Sequence, residues 1–229
     1  MVHETKALPM NKVIVIAPHP DDETLGCGGT LLRHKAEGDE IHWLIITKME
    51  ENIVGEKKAN ERKSEIRQVF DRYQFKSLKE ANFLATQLDA IPKKKIIDAI
   101  SEFFKEIEPN IVYLPYIHDI HSDHQVIVDA TMSCLKSFRY PYIKKVRSYE
   151  TVSETEFTLK ENTVFQPNLF MDITEFLDEK IEIMKLYSGE IKDPPFPRSE
   201  ENLRALATLR GSTINVRYAE AFITLKEIL

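Results

Sequence analysis

Short apolar runs alternate with longer stretches of helical periodicity over the first two thirds of the chain. Residues 13–17 (VIVIA) are wholly apolar, which is typical of a strand buried on both faces of a sheet. Further strands are predicted at residues 41–47, 81–85, 111–115 and 144–150. The helices predicted between them lie at about 24–37, at about 56–73, between Pro92 and Pro109, and at about 122–138. Strands and helices therefore alternate.

This alternation predicts an α/β fold. Strands that alternate with helices of this length indicate βαβ units, right-handed crossovers and a mainly parallel sheet. Because no internal repeat or linker interrupts the chain, residues 1–229 are expected to form a single domain. Its core is expected at about 11–150, with a C-terminal elaboration at about 151–229.

The C-terminal elaboration has a looser pattern than the core. Residues 157–172 resemble a hairpin, and a helix is predicted at about 174–188. The proline-rich sequence at 193–197 indicates a loop. A last helix is expected from about residue 199 to Arg210, with Gly211 as its C-terminal cap.

Composition narrows the class of protein. Of the residues, 42% are hydrophobic and 30% charged, as in ordinary globular domains. The net charge of −6 argues against a broad nucleic-acid-binding face. Two distant cysteines form no disulfide framework, no apolar run is long enough to span a membrane, and the first residues lack the apolar core of a signal peptide. These features predict a cytoplasmic protein that binds neither nucleic acid nor membranes.

Two polar motifs directly follow predicted strands. The first is PHPDDE, after the strand at 13–17; the second is HDIHSDH, after the strand at 111–115. Ligands of open parallel sheets bind outside the carboxyl ends of the strands, at the switch point between neighbours. The chemical groups in these motifs belong to His19, Asp21, Asp22, Glu23, His118, Asp119, His121, Asp123 and His124. The two motifs are therefore expected to meet.

Imidazoles and carboxylates in this mixture suit zinc or ferrous iron. Three protein ligands and one open position would make the site catalytic, and a carboxylate next to a ligating carboxylate is well placed as a general base. Each motif alone has a simpler explanation. Asp21 and Asp22 favour a helix N-terminus, and Ser122 suits a helix cap. His118 is a rival to the other histidines as a ligand. The joint placement favours a metal site.

The chain also resembles the N-acetylglucosaminyl-deacetylase family, often called PIG-L or LmbE-like. The PHPDDE and HSDH pair is the specific part of the resemblance. The similar segments, in order, are VIVIAPHPDDETLGCGGTLL (13–32), ERKSE (61–65), IEPNIVYLP (107–115), HSDH (121–124), DITEFLDEKIEIMKLYSGE (172–190) and RGSTINVRYAEAF (210–222). They cover nearly the whole chain. The resemblance implies a Rossmann-like three-layer sandwich.

The resemblance also implies roles for particular residues. It implies that one divalent metal ion, zinc first and ferrous iron second, is held by His19, Asp22 and His124. Asp21 corresponds to the general base. The remaining roles are His121 as acid and oxyanion stabiliser, Asp123 as its orienting partner, and Arg62 and Arg210 as substrate-binding residues.

The implied function is hydrolysis of the acetyl group from an N-acetylated amino sugar, such as an N-acetylglucosamine derivative, or from its conjugate. A thiol S-conjugate amidase would need the same machinery. A nucleotide-binding module is a different class; Gly26, Gly28 and Gly29 superficially suggest it, but the G-x-G-x-x-G order is absent. A metal-binding regulator without catalysis is a further alternative. The expected partner is a small molecule, and a homo-oligomer is compatible with the sequence.

Overall fold

A computed structural model describes residues 10–159, 161 and 163–229, which build a seven-stranded sheet in the order β3-β2-β1-β4-β5-β7-β6. The neighbouring pairs from β3 to β5 are parallel, whereas β7 is antiparallel to both β5 and β6. The strands are β1 (Lys12–Ala17), β2 (Glu40–Lys48), β3 (Ser77–Leu84), β4 (Ile111–Pro115), β5 (Lys145–Tyr149), β6 (Leu169–Asp172) and β7 (Ala219–Glu227).

Helices cover both faces of the sheet. They are α1 (Asp22–Ala36), α2 (Glu51–Val54), α3 (Glu56–Tyr73), α4 (Lys93–Ile107), α5 (Ser122–Ser133), α6 (Leu177–Met184) and α7 (Glu200–Thr213), with a 3-10 turn at Leu88–Ala90. Alternate side chains of β1 enter two separate cores. Val13 and Val15 belong to the core that includes residues of α1 and α3, and Ile14 and Ile16 to the core that includes residues of α4 and α5. The predicted α/β fold is confirmed.

The topology brings the two polar motifs together. From β1 the chain adds β2 and then β3 on one side, and it then crosses to place β4 on the other side of β1. β1 and β4 are therefore parallel neighbours at the switch point of the sheet. Because parallel strands end at the same edge, the segments after Ala17 and after Pro115 start side by side.

The predicted hairpin at 157–172 is wrong. Within it the described residues form only β6, whose partner is the distant strand β7; residues 160 and 162 lie outside the described residues. β7 itself was not predicted. Only its first residues, Ala219–Phe222, are buried, so its outer half lacks the apolar run by which the parallel strands are recognised.

Three helix ends also differ from expectation. α5 ends at Ser133, ahead of a turn in which Tyr140 packs edge-on against Phe104 of α4. α6 begins at Leu177, after a turn in which the N–H of Thr174 bonds to Asp172. α7 continues past Gly211, whose role is close approach: a Cβ there would lie 2.7 Å from the carbonyl oxygen of Val216.

The described helices include none that is both long and apolar enough to cross a membrane.

Candidate metal centre and active site

The turn after β1 holds Asp21 in an unusual backbone conformation, with φ at 134°. Such a φ is rare for a residue with a side chain and needs support from its surroundings. The support comes from Glu23, which is fully buried and accepts a hydrogen bond from the main-chain N–H of Asp21 at 3.1 Å. The hydroxyls of Tyr187 and Thr24 donate to the other oxygen of Glu23, each at 2.6 Å. This buried clamp holds the main chain of Asp21 in that conformation.

Three predicted ligands converge beside this turn. Asp22 Oδ2 lies 3.2 Å from Nδ1 of His19 and 3.3 Å from Nε2 of His124. The ligand atoms of all three residues lie within 4.8 Å of one another. Asp22 and His124 are 1% exposed, and the His19 side chain is 21% exposed. Two of the three residues are therefore buried, and His19 keeps part of its side chain exposed to solvent.

A carboxylate stands behind each of the two imidazoles. Nδ1 of His124 bonds to Asp119 Oδ2 at 2.8 Å, and Nε2 of His19 bonds to Asp123 Oδ2 at 3.1 Å. Histidine ligands of metals nearly always have such a partner on their second nitrogen, since it sets the tautomer and the ring orientation. The donor set and its support fit a divalent metal ion such as zinc. The sequence analysis gave Asp119 no role, although it lies in the second motif.

The electrostatics of the cluster favour a cation at its centre. Burial alone lowers the pKa of His19, but hydrogen bonds to Asp123 and Asp22 outweigh it and raise that pKa to about 9. Burial also opposes the charge of His124, yet the charge of Asp22 and the bond to Asp119 raise its pKa to about 10. The buried carboxylates therefore favour positive charge at the two rings, which is the charge that a bound cation would bring.

His121 lies against the cluster, with its ring centroid 4.5 Å from that of His19. Its Nδ1 accepts a hydrogen bond from the main-chain N–H of Asp123, which leaves Nε2 to carry the hydrogen of the neutral ring. Burial and the neighbouring histidines lower the pKa of His121 to about 4. The carboxylate of Asp123 bonds to His19 instead. Asp123 therefore orients His121 through its main chain and His19 through its side chain.

Asp21 meets an arginine that the sequence analysis missed. Nη1 of Arg198 donates to Asp21 Oδ2 at 2.8 Å. Burial and the charge of Asp22 raise the pKa of Asp21 well above its ordinary value, and the guanidinium of Arg198 opposes them. Arg198 follows the proline-rich loop, where a single charged residue carries no sequence signal of its own.

Residues 14–135 match the PIG-L family, described as GlcNAc-PI de-N-acetylase, and this match covers more than half of the chain. The chain belongs to the PIG-L family. The diacetylchitobiose deacetylase of Thermococcus kodakarensis is 23% identical over 226 residues, which cover 92% of this chain and 82% of the relative. The resemblance noted in the sequence is thus confirmed.

Two solved structures show how widely the PIG-L fold is used. The conserved protein TT1542 from Thermus thermophilus has a TM-score of 0.76 at 24% identity, covering 96% of this chain and 97% of that chain. GalB, the 4-carboxy-2-hydroxymuconate hydratase from Pseudomonas putida, has a TM-score of 0.72 at 16% identity, covering 96% of this chain and 98% of that chain. Since a hydratase has the same fold, the reaction must be argued from the site.

The two predicted substrate-binding arginines are both paired in this PIG-L chain. Arg62 is 6% exposed and donates to the carbonyl of Pro20 and, at 2.6 Å, to Glu190. Arg210 makes two hydrogen bonds to Glu150 and lines a separate cavity of about 500 Å³. Arg62 thus adjoins the turn that holds Asp21, whereas among the described residues Arg210 makes its hydrogen bonds to Glu150 and none to the histidine cluster.

Proposed function

We propose that this PIG-L protein is a metal-dependent deacetylase that hydrolyses the acetamido group of an N-acetylated amino sugar or its conjugate. The observation that supports this most is the pair of imidazoles facing Asp22, each backed by a buried carboxylate. A structural role would not need the exposed side of the cluster, nor an ionisable side chain beside it.

His19 Nδ1, Asp22 Oδ2 and His124 Nε2 would hold the metal ion, zinc in the first place and ferrous iron in the second. A bound divalent ion acidifies water and polarises an amide carbonyl. Asp119 and Asp123 hold the two rings in the tautomers that expose these nitrogens.

Asp21 is the proposed general base. Its Oδ2 is occupied by Arg198, and Oδ1 receives no hydrogen bond from the described residues, so Oδ1 is the atom that takes the proton from water. The buried clamp at Glu23 holds the main chain of Asp21, from which this side chain extends.

His121 is the proposed hydrogen-bond donor to the carbonyl oxygen. As a neutral ring it has no acidic proton for the departing nitrogen, so the proton that Asp21 takes from water is transferred there. With Nδ1 engaged by the main chain, the hydrogen on Nε2 is the one that His121 offers. A neutral imidazole donor of this kind stabilises an oxyanion as charge develops.

The substrate class rests on family membership. The Thermococcus relative is named a diacetylchitobiose deacetylase, which favours neutral N-acetylglucosamine oligomers as first substrates to test. A thiol S-conjugate amidase and a hydratase are the alternatives. Because the site takes Asp21 from the core and Arg198 from the elaboration, we further infer that residues 1–229 work as one domain.

The test measures metal content and product together. Protein loaded with zinc or ferrous iron should contain one metal ion per chain and release acetate and a free amine from N-acetyl sugars, followed by mass spectrometry. Asp22→Ala and His124→Ala should lose metal and activity, whereas His118→Ala should keep both. Full metal content in Asp22→Ala and His124→Ala would refute the ligand set. Hydration of an unsaturated acid with no acetate release would refute deacetylation.

A further inference from the structure

The guanidinium of Arg198 makes polar contacts with four side chains of the protein. Its Nε donates to Ser153 Oγ at 2.8 Å, and Nη1 donates to Asp21 at 2.8 Å and to Glu190 at 3.1 Å. Nη2 contacts Glu154 at 3.4 Å. All three nitrogens of the guanidinium are therefore engaged within the protein. The side chain is only 14% exposed.

The contact with Asp21 has no substitute nearby. Over residues 10–159, 161 and 163–229, Arg198 is the only residue that donates a hydrogen bond to the Asp21 carboxylate. The Glu23 clamp holds the main chain of Asp21 and leaves its side chain to this one contact. The rotation of the carboxylate about its own axis is thus set by Arg198.

The arginine is itself fixed from two directions. Glu190 bridges Arg198 and Arg62 through its two oxygens, and Arg62 in turn is anchored on α3 and on the carbonyl of Pro20. Ser153 and Glu154 hold it from the segment after β5. A planar guanidinium with partners on several sides has one orientation, which an ammonium on a flexible stem would not have.

We propose that Arg198 is a positioning residue that orients the carboxylate of Asp21 for proton transfer, through a rigid network with Glu190, Glu154 and Ser153. This inference rests on the proposed function of Asp21. Arg198 acts through Asp21 rather than on the substrate. Its removal should therefore slow the chemical step and leave substrate affinity nearly unchanged.

The kinetic test compares Arg198→Ala and Arg198→Lys with Arg204→Ala. Arg204 is a matched control on α7 that pairs with Glu200 and Asp178 at the surface. Arg198→Ala should lower kcat roughly 10- to 100-fold, the size expected for a misplaced catalytic group, with KM and metal content close to the parent. Arg198→Lys should fall between, and added methylguanidine should restore part of the kcat of Arg198→Ala.

A double-mutant cycle identifies the residue through which Arg198 acts. In an Asp21→Asn background, Arg198→Ala should change the residual kcat less than about twofold, since the carboxylate to be oriented is gone. The full loss in that background would overturn the proposal. So would a raised KM with unchanged kcat, which would make Arg198 a substrate contact, or a kcat equal to that of Arg204→Ala.

A stability cycle on metal-free protein separates this inference from the proposed function. Arg198→Ala should lower the Tm more in the parent than in Asp21→Asn, because the pair is present in one and absent in the other. If the parent hydrolyses no N-acetyl sugar but the cycle shows coupling, only the proposed function fails. If the parent is an active deacetylase and both cycles are additive, the positioning role fails alone.

Discussion

The candidate site has two walls of different construction. The first wall comes from the segments that follow β1 and β4, and carries His19, Asp21, Asp22 and the second motif. The second wall comes from irregular segments after β5 and before α7, and carries Glu154, Glu190 and Arg198. The first wall holds the groups that would bind a metal, and the second holds a charged network that faces Asp21.

The difference follows from how each wall is supported. Parallel pairing of β1 with β4 places the first wall, and buried carboxylates then orient its rings. The segments of the second wall are irregular, and Arg198 connects them through its ion pairs with Glu154 and Glu190. Strand pairing fixes the proposed metal ligands, whereas ion pairs orient the proposed base, Asp21. The sequence of the second wall can therefore change while the ligands of the first wall stay in place.

The largest effect should come from a side chain of the first wall. His121→Ala should retain metal and lose kcat by roughly 10²–10³-fold, because the donor at Nε2 is removed. His118→Ala is the matched control, since its ring packs on Tyr116. Steady-state kinetics at saturating metal would check this. Equal kcat in the two variants would remove His121 from the mechanism.

The next largest effect is on stability and concerns the buried contacts that link α6 and β7 to α1. Lys180 Nζ donates to the carbonyl of Leu25 and to Glu220, which itself accepts from two main-chain N–H groups of α1. Lys180→Met leaves Glu220 buried without its cation and should destabilise the protein by about 3–5 kcal/mol in urea unfolding. Lys185→Met, at the surface, should leave the urea midpoint almost unchanged, because water screens its ion pairs. A similarly small change in the urea midpoint of both variants would show that the buried Lys180–Glu220 pair contributes little to stability.

Asp119 links the two walls. Its Oδ2 bonds to His124, while its Oδ1 accepts from the hydroxyl of Thr155 in the segment after β5. Asp119→Ala should weaken metal affinity by about 10–100-fold, measured by competition with a chelator. Thr155→Val removes the donor to Asp119 Oδ1 and the acceptor of the Thr151 N–H, but it keeps the bond between Asp119 and His124, so it should weaken metal affinity less. If Thr155→Val weakened binding as much as Asp119→Ala, the walls would not be separable.

The smallest effect lies in the sheet, away from both walls. Burial lowers the pKa of His42 to about 4, whereas the unfolded chain has a value near 6.5. Because the unfolded state takes up the proton first, the contribution of neutral His42 is complete above pH 6.5 and is lost as pH falls towards 4. The parent should lose about 2 kcal/mol more than His42→Gln between roughly pH 7.5 and pH 5 in urea unfolding. Parallel pH profiles of the two proteins would contradict this.

Sequence patterns were sufficient to predict the first wall. Apolar runs mark β1 and β4, and the motifs that follow them are short and dense in ligand types, so their meeting could be predicted from topology. The sequence could not tell which ring the carboxylate of Asp123 contacts, because a carboxylate two residues from His121 can reach either imidazole; it bonds to His19, while the Asp123 main chain bonds to His121.

Sequence patterns could not predict the residues of the second wall. Arg198 lies 177 residues after Asp21, and charged residues in loops, such as Arg198 and Glu190, look like ordinary surface charges. β7 was missed for a related reason, since its outer half is largely exposed and its partners are distant in sequence. The position of Arg198 and the pairing of β7 both depend on contacts between residues far apart in sequence, and neither hydrophobic periodicity nor motif spacing predicts such contacts.

The place of β7 in the sheet has a consequence for synthesis on the ribosome. Chains emerge from their N-terminus, and β1 to β5 can pair as they appear, but β6 lacks its neighbour until Ala219–Glu227 has left the exit tunnel. The three proposed ligands are thus made long before Arg198 can be locked in place. Ribosome-stalled chains long enough to place residues up to about 150 outside the exit tunnel would test whether a nascent chain already captures metal. On this order of events, the proposed metal ligands come together before Arg198 can orient Asp21.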